Sequence, residues 1–196
     1  MTTTRRKALI ALGSNLPSAE SGLTSTLDRA VRLLGDHPKV TLQAVSRWYR
    51  TPAWPPGSGP DFVNGALSIT TELDAQALLG VLHQIEGALG RERRQRWAPR
   101  TCDLDLIAYS NQVLPDLQRA KHWIAMGDDE AFKTPPDGLV LPHPRMHKRA
   151  FVLVPLCEIA PEWVHPVLGQ SVRALVQALP AAARAEVEPI DLDESR

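Results

Sequence analysis

The sequence predicts an α+β fold with the ferredoxin-like element order β-α-β-β-α-β and additional C-terminal helices. Two observations support this prediction. Two kinds of segment alternate along the chain. One kind has the alternation or the β-branched residues of a strand, and the other has apolar residues spaced three and four positions apart, as in a helix. Turn residues such as Gly13-Ser14-Asn15 and Gly90 separate these segments. We therefore expect an antiparallel sheet with helices packed on one of its faces.

The first strand and helix are predicted in the N-terminal part of the chain. The apolar run from Ala8 to Gly13 is too short for a membrane span or a signal sequence and is typical of a buried strand. A helix that Gly35 ends should follow, because five apolar residues have helical spacing. They are Leu23, Leu27, Ala30, Val31 and Leu34.

Two further strands and a second helix come next. Residues 40–51 and 62–73 are rich in β-branched and aromatic residues, and a Pro- and Gly-containing loop joins them. Asp74 is a predicted N-cap, and Gly90 a predicted stop, for a helix with one apolar face. That face consists of Leu78, Leu82, Ile85 and Leu89.

The remaining chain is predicted to contain one more strand and two helices. The strand covers residues 103–109, and the helices lie near 151–159, despite Pro155, and 171–179. Residues 116–137 lack a clear period and are predicted to form an inserted surface loop. We expect a single domain over 1–196, with its core at about 7–180 and a frayed tail at 181–196.

Length and charge limit the classes of function. The chain has 196 residues, of which 43% are hydrophobic and 22% charged, as in an ordinary globular domain. Its formal net charge is zero, so neither nucleic acid nor a membrane surface is an expected partner. Cys102 and Cys157 form no C-x-x-C motif, so no disulfide framework or zinc site is indicated, and a cytoplasmic location is expected.

Two aspartates separated by one residue are the first candidates for chemistry. In a strand, Asp103 and Asp105 share one face, while Leu104 and Leu106 point to the core. The carboxylates would stand about 7 Å apart along the strand. Such a pair suits magnesium that also binds substrate phosphates. Taken alone, however, the pair is better explained as the exposed face of an amphipathic strand.

A cluster of arginines directly precedes the two aspartates. Residues 91–100 read RERRQRWAPR, and guanidinium groups match the geometry of phosphate oxygens. A solvated turn does not explain the indole of Trp97, so the cluster and the aspartates together favour a site for a polyphosphate and its metal. The chain lacks G-x-x-x-x-G-K-[ST] and G-x-G-x-x-G, so side chains and metal would have to hold the phosphates.

A third candidate feature lies on the strand at residues 62–73. Phe62 and Asn64 share one face of this strand and offer an aromatic ring and an amide, which together suit a flat polar heterocycle. Core packing is an alternative explanation for Phe62. It explains Asn64 in the middle of a strand less well.

Five short motifs occur in a fixed order along the chain. They are ALGSNL at 11–16, YRTP at 49–52, FVNGA at 62–66, RWAPRTCDLD at 96–105 and PHPRM at 142–146. This set resembles the 6-hydroxymethyl-7,8-dihydropterin pyrophosphokinase family of folate biosynthesis. The resemblance implies transfer of pyrophosphate from ATP to the pterin, with in-line attack at the β-phosphorus and AMP as product. It also implies two Mg²⁺ ions bound by Asp103 and Asp105.

The resemblance further implies roles for individual residues. The implied catalytic residues are Arg91, Arg93, Trp97, Arg100, Asp103 and Asp105. The implied pterin-binding residues are Thr51, Pro52, Ala53, Trp54, Phe62, Asn64, Trp97, Asp103 and Phe151. The implied ATP-binding residues are Glu86, Arg93, Arg100, Ile107, His143 and Arg149. The chain departs from the family's usual residues at Trp54, at Phe62 and at Pro144.

Two other functions fit parts of the pattern. A ferredoxin-like RNA-binding module would bind phosphates with residues 91–100 and bases with Trp48, Tyr49 or Phe62, but the RNP aromatic signature is missing. A nucleotidyltransferase with the same D-x-D pair would release pyrophosphate instead of AMP.

The role of Trp123 stays open between a lid, an interface and a passive loop. We expect a monomer whose partners are ATP and 6-hydroxymethyl-7,8-dihydropterin.

Overall fold

The computed structural model describes residues 4–16, 22–53, 59–90, 101–127 and 136–190. In these ranges the strands are β1 (Arg6–Ser14), β2 (Val40–Val45), β3 (Tyr49–Thr51), β4 (Phe62–Thr71), β5 (Asp103–Tyr109) and β6 (Glu188–Pro189). They form one antiparallel sheet in the order β5-β1-β4-β3-β6, and β2 also pairs with β4. The predicted ferredoxin-like α+β fold is confirmed.

Two helices connect the central strands as predicted. Helix α1 (Leu23–Gly35) precedes β2, and helix α2 (Ala75–Ala88) precedes β5. The carboxylate of Asp74 caps α2 by accepting a hydrogen bond from the backbone N–H of Ala77 at 2.8 Å. Gly90 follows α2 with φ +84°, a conformation that favours glycine and leads the chain away from the helix.

The predicted strand at 40–51 is two strands, because residues 46–48 lie outside the regular strand conformation. Trp48 turns its indole into the core, where Nε1 donates a hydrogen bond to Asp28 at 3.1 Å. The ring lies against Gly65 so closely that a Cβ there would be 2.4 Å from it. Trp48 is therefore a buried packing residue, which removes it as a surface for stacking bases.

Two parts of the C-terminal half differ from the prediction. Residues 116–137 were expected to be a surface loop, but helix α3 (Leu117–Ala125) lies there, with Asp116 as its N-cap. The expected frayed tail instead contains helix α6 (Ala181–Ala185) and strand β6, which pairs with the open edge of β3. Residues 128–135 and 191–196 lie outside the described ranges.

Both faces of the sheet are covered: the two helices of the β-α-β-β-α-β unit lie on one face, as predicted, and the additional C-terminal helices lie on the other. On one face, Ile10 and Leu12 pack with α1 and α2. On the other, Leu9 and Ala11 pack with helices α4 (Ala150–Ile159) and α5 (Val172–Ala178). β1 is consequently buried on both sides, as a central strand requires. None of the helices in the described ranges is long and apolar enough to span a membrane.

Candidate active site

The two aspartates project from the first half of β5 onto the face of the sheet that carries α4. In the register of β1 and β5, Asp103 is opposite Gly13 and Asp105 is opposite Ala11. Both aspartates are partly exposed, whereas the leucines between and after them are each 3% exposed in the core. The strand alternation predicted for this pair is therefore confirmed.

Gly13 lies between the aspartates and Asn64. Because β4 pairs with the other side of β1, Asn64 is also opposite Gly13, and the three residues form one row across the sheet. A Cβ at Gly13 would be only 3.0 Å from Oδ1 of Asn64. The glycine thus keeps the surface between the Asp103 carboxylate and the Asn64 amide free of side-chain atoms.

The Asn64 amide is held in place by a neighbouring strand. Its Nδ2 donates a hydrogen bond to Oγ1 of Thr51 at 2.7 Å, and both residues are buried. Thr51 is opposite Phe62, which is half-buried and lies two residues before Asn64 on the same face. The structure therefore brings together a ring and an oriented amide beside Asp103. Pro52 is exposed next to them and Ala53 is buried.

Phe151 lies in the first turn of α4, and this helix packs on β4. Its ring is 39% exposed, and the guanidinium carbon of Arg149 lies 5.5 Å from the ring centroid. A cation over an aromatic face stabilises the orientation of both groups. Phe151 is thus an accessible aromatic ring at the N-terminal end of α4, the helix that covers the face of the sheet with Asp103.

A cavity of about 540 Å³ opens beside Asp105. Its walls come from α2, α3, β5 and residues 136–145. Six of the described lining residues are Leu79, His83, Asp105, Trp123, His143 and Arg145. The volume is within the range of small-molecule sites, and the lining combines apolar, aromatic and charged groups as such sites do.

His143 is a neutral imidazole in the wall of this cavity. Its backbone N–H donates to the carbonyl of Ile107 at 2.8 Å, and its Nδ1 accepts from the backbone N–H of Arg145 at 3.3 Å. The pKa of His143 is lowered to about 3. Burial is the main cause, and the positive charges of Arg149 and Arg145 add to it. With Nδ1 accepting, the proton is on Nε2, where it can be donated to an anion.

Two residues expected to contact ATP, Glu86 and Ile107, are buried. Glu86 is 2% exposed, and its Oε1 accepts a hydrogen bond from the backbone N–H of Leu104 at 2.8 Å. Ile107 is 1% exposed and packs in the core with Met146. Neither is among the described residues that line the cavity, where Leu106 is found instead of Ile107. Their roles in ATP binding stay predictions.

His83 is a cavity residue that the sequence analysis missed. It lies on α2 with Gln76 and Leu79, which also line the cavity. The three residues are spaced by three and four positions, so they form one stripe of the helix beside its buried face. This helical spacing is the feature of the sequence from which His83 could have been predicted to lie on the same side of α2 as Leu79.

Several predicted site residues lie outside the described ranges. Trp54 falls in the gap at 54–58. The gap at 91–100 contains the other four, which are Arg91, Arg93, Trp97 and Arg100. The roles predicted for these residues stay predictions.

The residues that are described suit a hard divalent cation. Within the described ranges, no group of three His, Cys, Asp or Glu side chains is arranged to hold a metal ion. A cation bound to Asp103 and Asp105 would therefore complete its coordination with water or substrate oxygens. That is the usual manner of Mg²⁺ in phosphate-transferring sites, and the partly exposed carboxylates fit it.

Comparisons with known proteins agree with this chemistry. The family model of 7,8-dihydro-6-hydroxymethylpterin-pyrophosphokinase matches residues 9–161. The 2-amino-4-hydroxy-6-hydroxymethyldihydropteridine pyrophosphokinase of Synechocystis sp. is 34% identical over 182 residues, which are 93% of this chain and 80% of that protein. The protein of the same name from Methylorubrum extorquens is 37% identical over 93% of this chain and 99% of its own length.

A solved structure shows the same fold. The crystal structure of wild-type HPPK-DHPS from Plasmodium falciparum superposes with a TM-score of 0.60 at 15% identity. The match covers 89% of this chain but 44% of that one, so this chain spans less than half of that protein. The family match and the two curated relatives establish that the chain belongs to the 7,8-dihydro-6-hydroxymethylpterin-pyrophosphokinase family and is an enzyme of the pyrophosphokinase class.

Proposed function

We propose that the protein transfers a pyrophosphoryl group from ATP to the hydroxymethyl oxygen of 6-hydroxymethyl-7,8-dihydropterin, giving the pterin diphosphate and AMP. The observation that carries this proposal is the row formed by Asp103, Gly13 and Asn64, with Asp105 opening onto a nucleotide-sized cavity. One end of the site thus suits a flat polar heterocycle and the other an anionic ligand with a metal. Asp103 lies between them.

The pterin is proposed to bind over the row at Gly13. The Asn64 amide, oriented by Thr51, would hydrogen-bond to the polar edge of the heterocycle, and Phe62 and Phe151 would contact its faces. Trp54 and Trp97 are proposed pterin contacts from the resemblance alone. This placement would bring the hydroxymethyl group towards Asp103, where the reaction takes place.

ATP is proposed to occupy the cavity beside Asp105. Asp103 and Asp105 would hold two Mg²⁺ ions, which neutralise phosphate charge and fix the phosphate oxygens. Arg145 lies in the cavity wall, and the neutral His143 can donate from Nε2 to an oxygen of the phosphate chain. Arg91, Arg93 and Arg100 are proposed to complete the binding of the triphosphate. Positioning and charge neutralisation are the main requirements of phosphoryl transfer.

In-line attack at the β-phosphorus is the proposed geometry. The attacking hydroxyl would come from the pterin side of Asp103 and the leaving AMP would depart on the cavity side. The new bond joins the pterin oxygen to the β-phosphorus, the bond from that phosphorus to the α-phosphate oxygen breaks, and the hydroxyl proton is released. No covalent intermediate with a protein side chain is required.

The test is AMP formation from ATP and magnesium, measured with and without 6-hydroxymethyl-7,8-dihydropterin, with the pterin product identified by mass. Pterin-dependent AMP in equal amount to pterin diphosphate is expected. Release of pyrophosphate would instead indicate attack at the α-phosphorus and a nucleotidyltransferase. Folded protein that binds both substrates but forms neither product would overturn the proposal.

A further inference from the structure

Trp123 reaches the proposed ATP cavity from helix α3. This helix is fixed at its start by Asp116, whose side chain accepts a hydrogen bond from the backbone N–H of Arg119 at 2.8 Å. One turn later Ala120 is completely buried, and Trp123 follows on the same face three residues on. The helix therefore packs with this face against the protein and presents the indole to the cavity.

The indole is neither a core residue nor a freely exposed one. Trp123 is half-buried and lines the cavity, and the His122 ring contacts it edge-on with centroids 5.8 Å apart. Its apolar ring area is partly open within a cavity that is lined by both apolar and charged residues. An aromatic surface of this kind is suited to the face of a heterocyclic base.

The remaining lining residues indicate where a base would lie. Asp105, His143 and Arg145 supply the groups that suit metal and phosphate, whereas Leu79 and Trp123 supply apolar and aromatic surface. A nucleotide whose phosphates are held near Asp105 must place its base against other walls of the same cavity. The volume of about 540 Å³ is sufficient for a complete nucleotide.

We propose that Trp123 is a binding residue for the purine base of the nucleotide, which stacks on the face of the indole. This inference rests on the proposed function, because it takes the ligand of the cavity to be a nucleoside triphosphate. The larger ring system of a purine overlaps the indole more completely than a pyrimidine does. The residue thus acts on affinity for the base and leaves phosphate binding to the groups near Asp105.

The test compares Trp123→Ala with Trp123→Phe and with the control Leu117→Ala, an apolar truncation at an exposed position of the same helix. Calorimetry would measure binding of two probes in the presence of magnesium, α,β-methylene-ATP and inorganic tripolyphosphate. For Trp123→Ala, we expect about ten-fold weaker binding of the ATP analogue, from the loss of base stacking, and unchanged binding of tripolyphosphate. Trp123→Phe should restore most of the affinity, and Leu117→Ala should bind as the wild type does.

The outcomes separate this inference from the proposed function. Wild-type affinity of Trp123→Ala for the analogue would overturn the inference, and so would an equal loss for tripolyphosphate, which would show a role in the shape of the cavity. In the first case the wild-type protein would still form AMP from ATP and pterin. Trp123-dependent binding of the analogue by a protein that forms no AMP would support the inference and overturn the proposed reaction. Circular dichroism confirms that each variant is folded.

Discussion

At the scale of single residues, Gly13 matters to the candidate site because it has no side chain. Gly13 separates the Asp103 carboxylate from the Asn64 amide by one strand and leaves the surface between them open. Gly13→Ala would bring a methyl group to 3.0 Å from Oδ1 of Asn64 and force that amide to move. Gly13→Ala should therefore weaken the proposed binding of the pterin.

The first prediction concerns the two carboxylates. Asp103→Asn and Asp105→Asn should each lower kcat for AMP formation by about 100-fold or more, because the proposed Mg²⁺ ions lose a charged carboxylate ligand. Thermal stability should hardly change, since both side chains are partly exposed. The control Asp36→Asn, at the exposed C-cap of α1, should leave turnover as it is. Near-normal rates in either site variant would remove that residue from the metal site.

The second prediction concerns pH and the buried His165. Burial, together with the charge of His147, lowers the pKa of His165 to about 4, while the unfolded chain has the usual value near 6.5. The unfolded state therefore binds the extra proton first, and the stability that the neutral form provides is complete above pH 6.5 and is lost as the pH falls towards 4. Between pH 7 and 5 the loss from this residue should be about 2 kcal/mol.

The variant His165→Asn tests this expectation. Nδ1 of His165 accepts from the backbone N–H groups of Val167 and Leu168 at 3.2 and 3.3 Å, and the Asn side-chain oxygen can replace it as acceptor. Urea denaturation should then show a smaller fall in stability from pH 7 to 5. The exposed His122→Asn serves as control and should follow the wild type. An unchanged pH dependence in His165→Asn would contradict the prediction.

At the scale of elements, a buried hydrogen bond joins α2 to β5. Glu86 of α2 accepts from the backbone N–H of Leu104, which lies between the two aspartates. This bond fixes the strand that carries both carboxylates to the helix behind it. Glu86 can thus influence catalysis through the position of β5 without touching the nucleotide.

The third prediction follows from this contact. Glu86→Ala should lower the free energy of unfolding by about 1–3 kcal/mol, because a buried N–H loses its acceptor. Glu86→Gln keeps an acceptor oxygen and should retain both stability and the KM for ATP. Asp74→Ala, which removes the N-cap of the same helix, should cost about 1 kcal/mol and leave the KM unchanged. A raised KM for ATP in Glu86→Gln with unchanged stability would favour a direct nucleotide contact.

Helix α3 and strand β6 were not predicted from the sequence, for different reasons. Helix α3 had an available signal, because Asp116 is an N-cap residue and Ala120 and Trp123 have helical spacing. Strand β6 had none, since the two residues of this strand gain their structure by pairing with β3. In addition, the backbone N–H of Ile190 donates to the carbonyl of Trp48 at 2.9 Å. Such pairing depends on an edge that exists only after the sheet has formed.

At the scale of the whole molecule, the fold gathers the site from distant parts of the chain. β1, β3, β4 and β5 supply the proposed pterin side, and α2, α3, β5 and residues 136–145 supply the cavity. The formal net charge is zero, so attraction of anionic ligands must come from local groups such as Arg145 and Arg149. Binding of magnesium and nucleotide should therefore stabilise the entire domain.

The fourth prediction measures this coupling. At a concentration of α,β-methylene-ATP with magnesium one hundred times its Kd, the free energy of unfolding should rise by about 2.7 kcal/mol. The increase should disappear in Asp103→Asn at the same ligand concentration and after removal of magnesium with EDTA. A full increase without magnesium would show that the carboxylate pair does not contribute to nucleotide binding through a metal.

The sequence by itself determined the order of elements, the shared face of Asp103 and Asp105 and the shared face of Phe62 and Asn64. These features follow from local periodicity and strand alternation. Only the tertiary structure decided the rest. Ile107 is on the same strand as the aspartates, but Met146 and α4 cover it. Glu86 turns to the core, while His83 and Trp123 reach the cavity. Periodicity identifies the face on which a side chain lies, whereas burial and contact depend on what packs against that face.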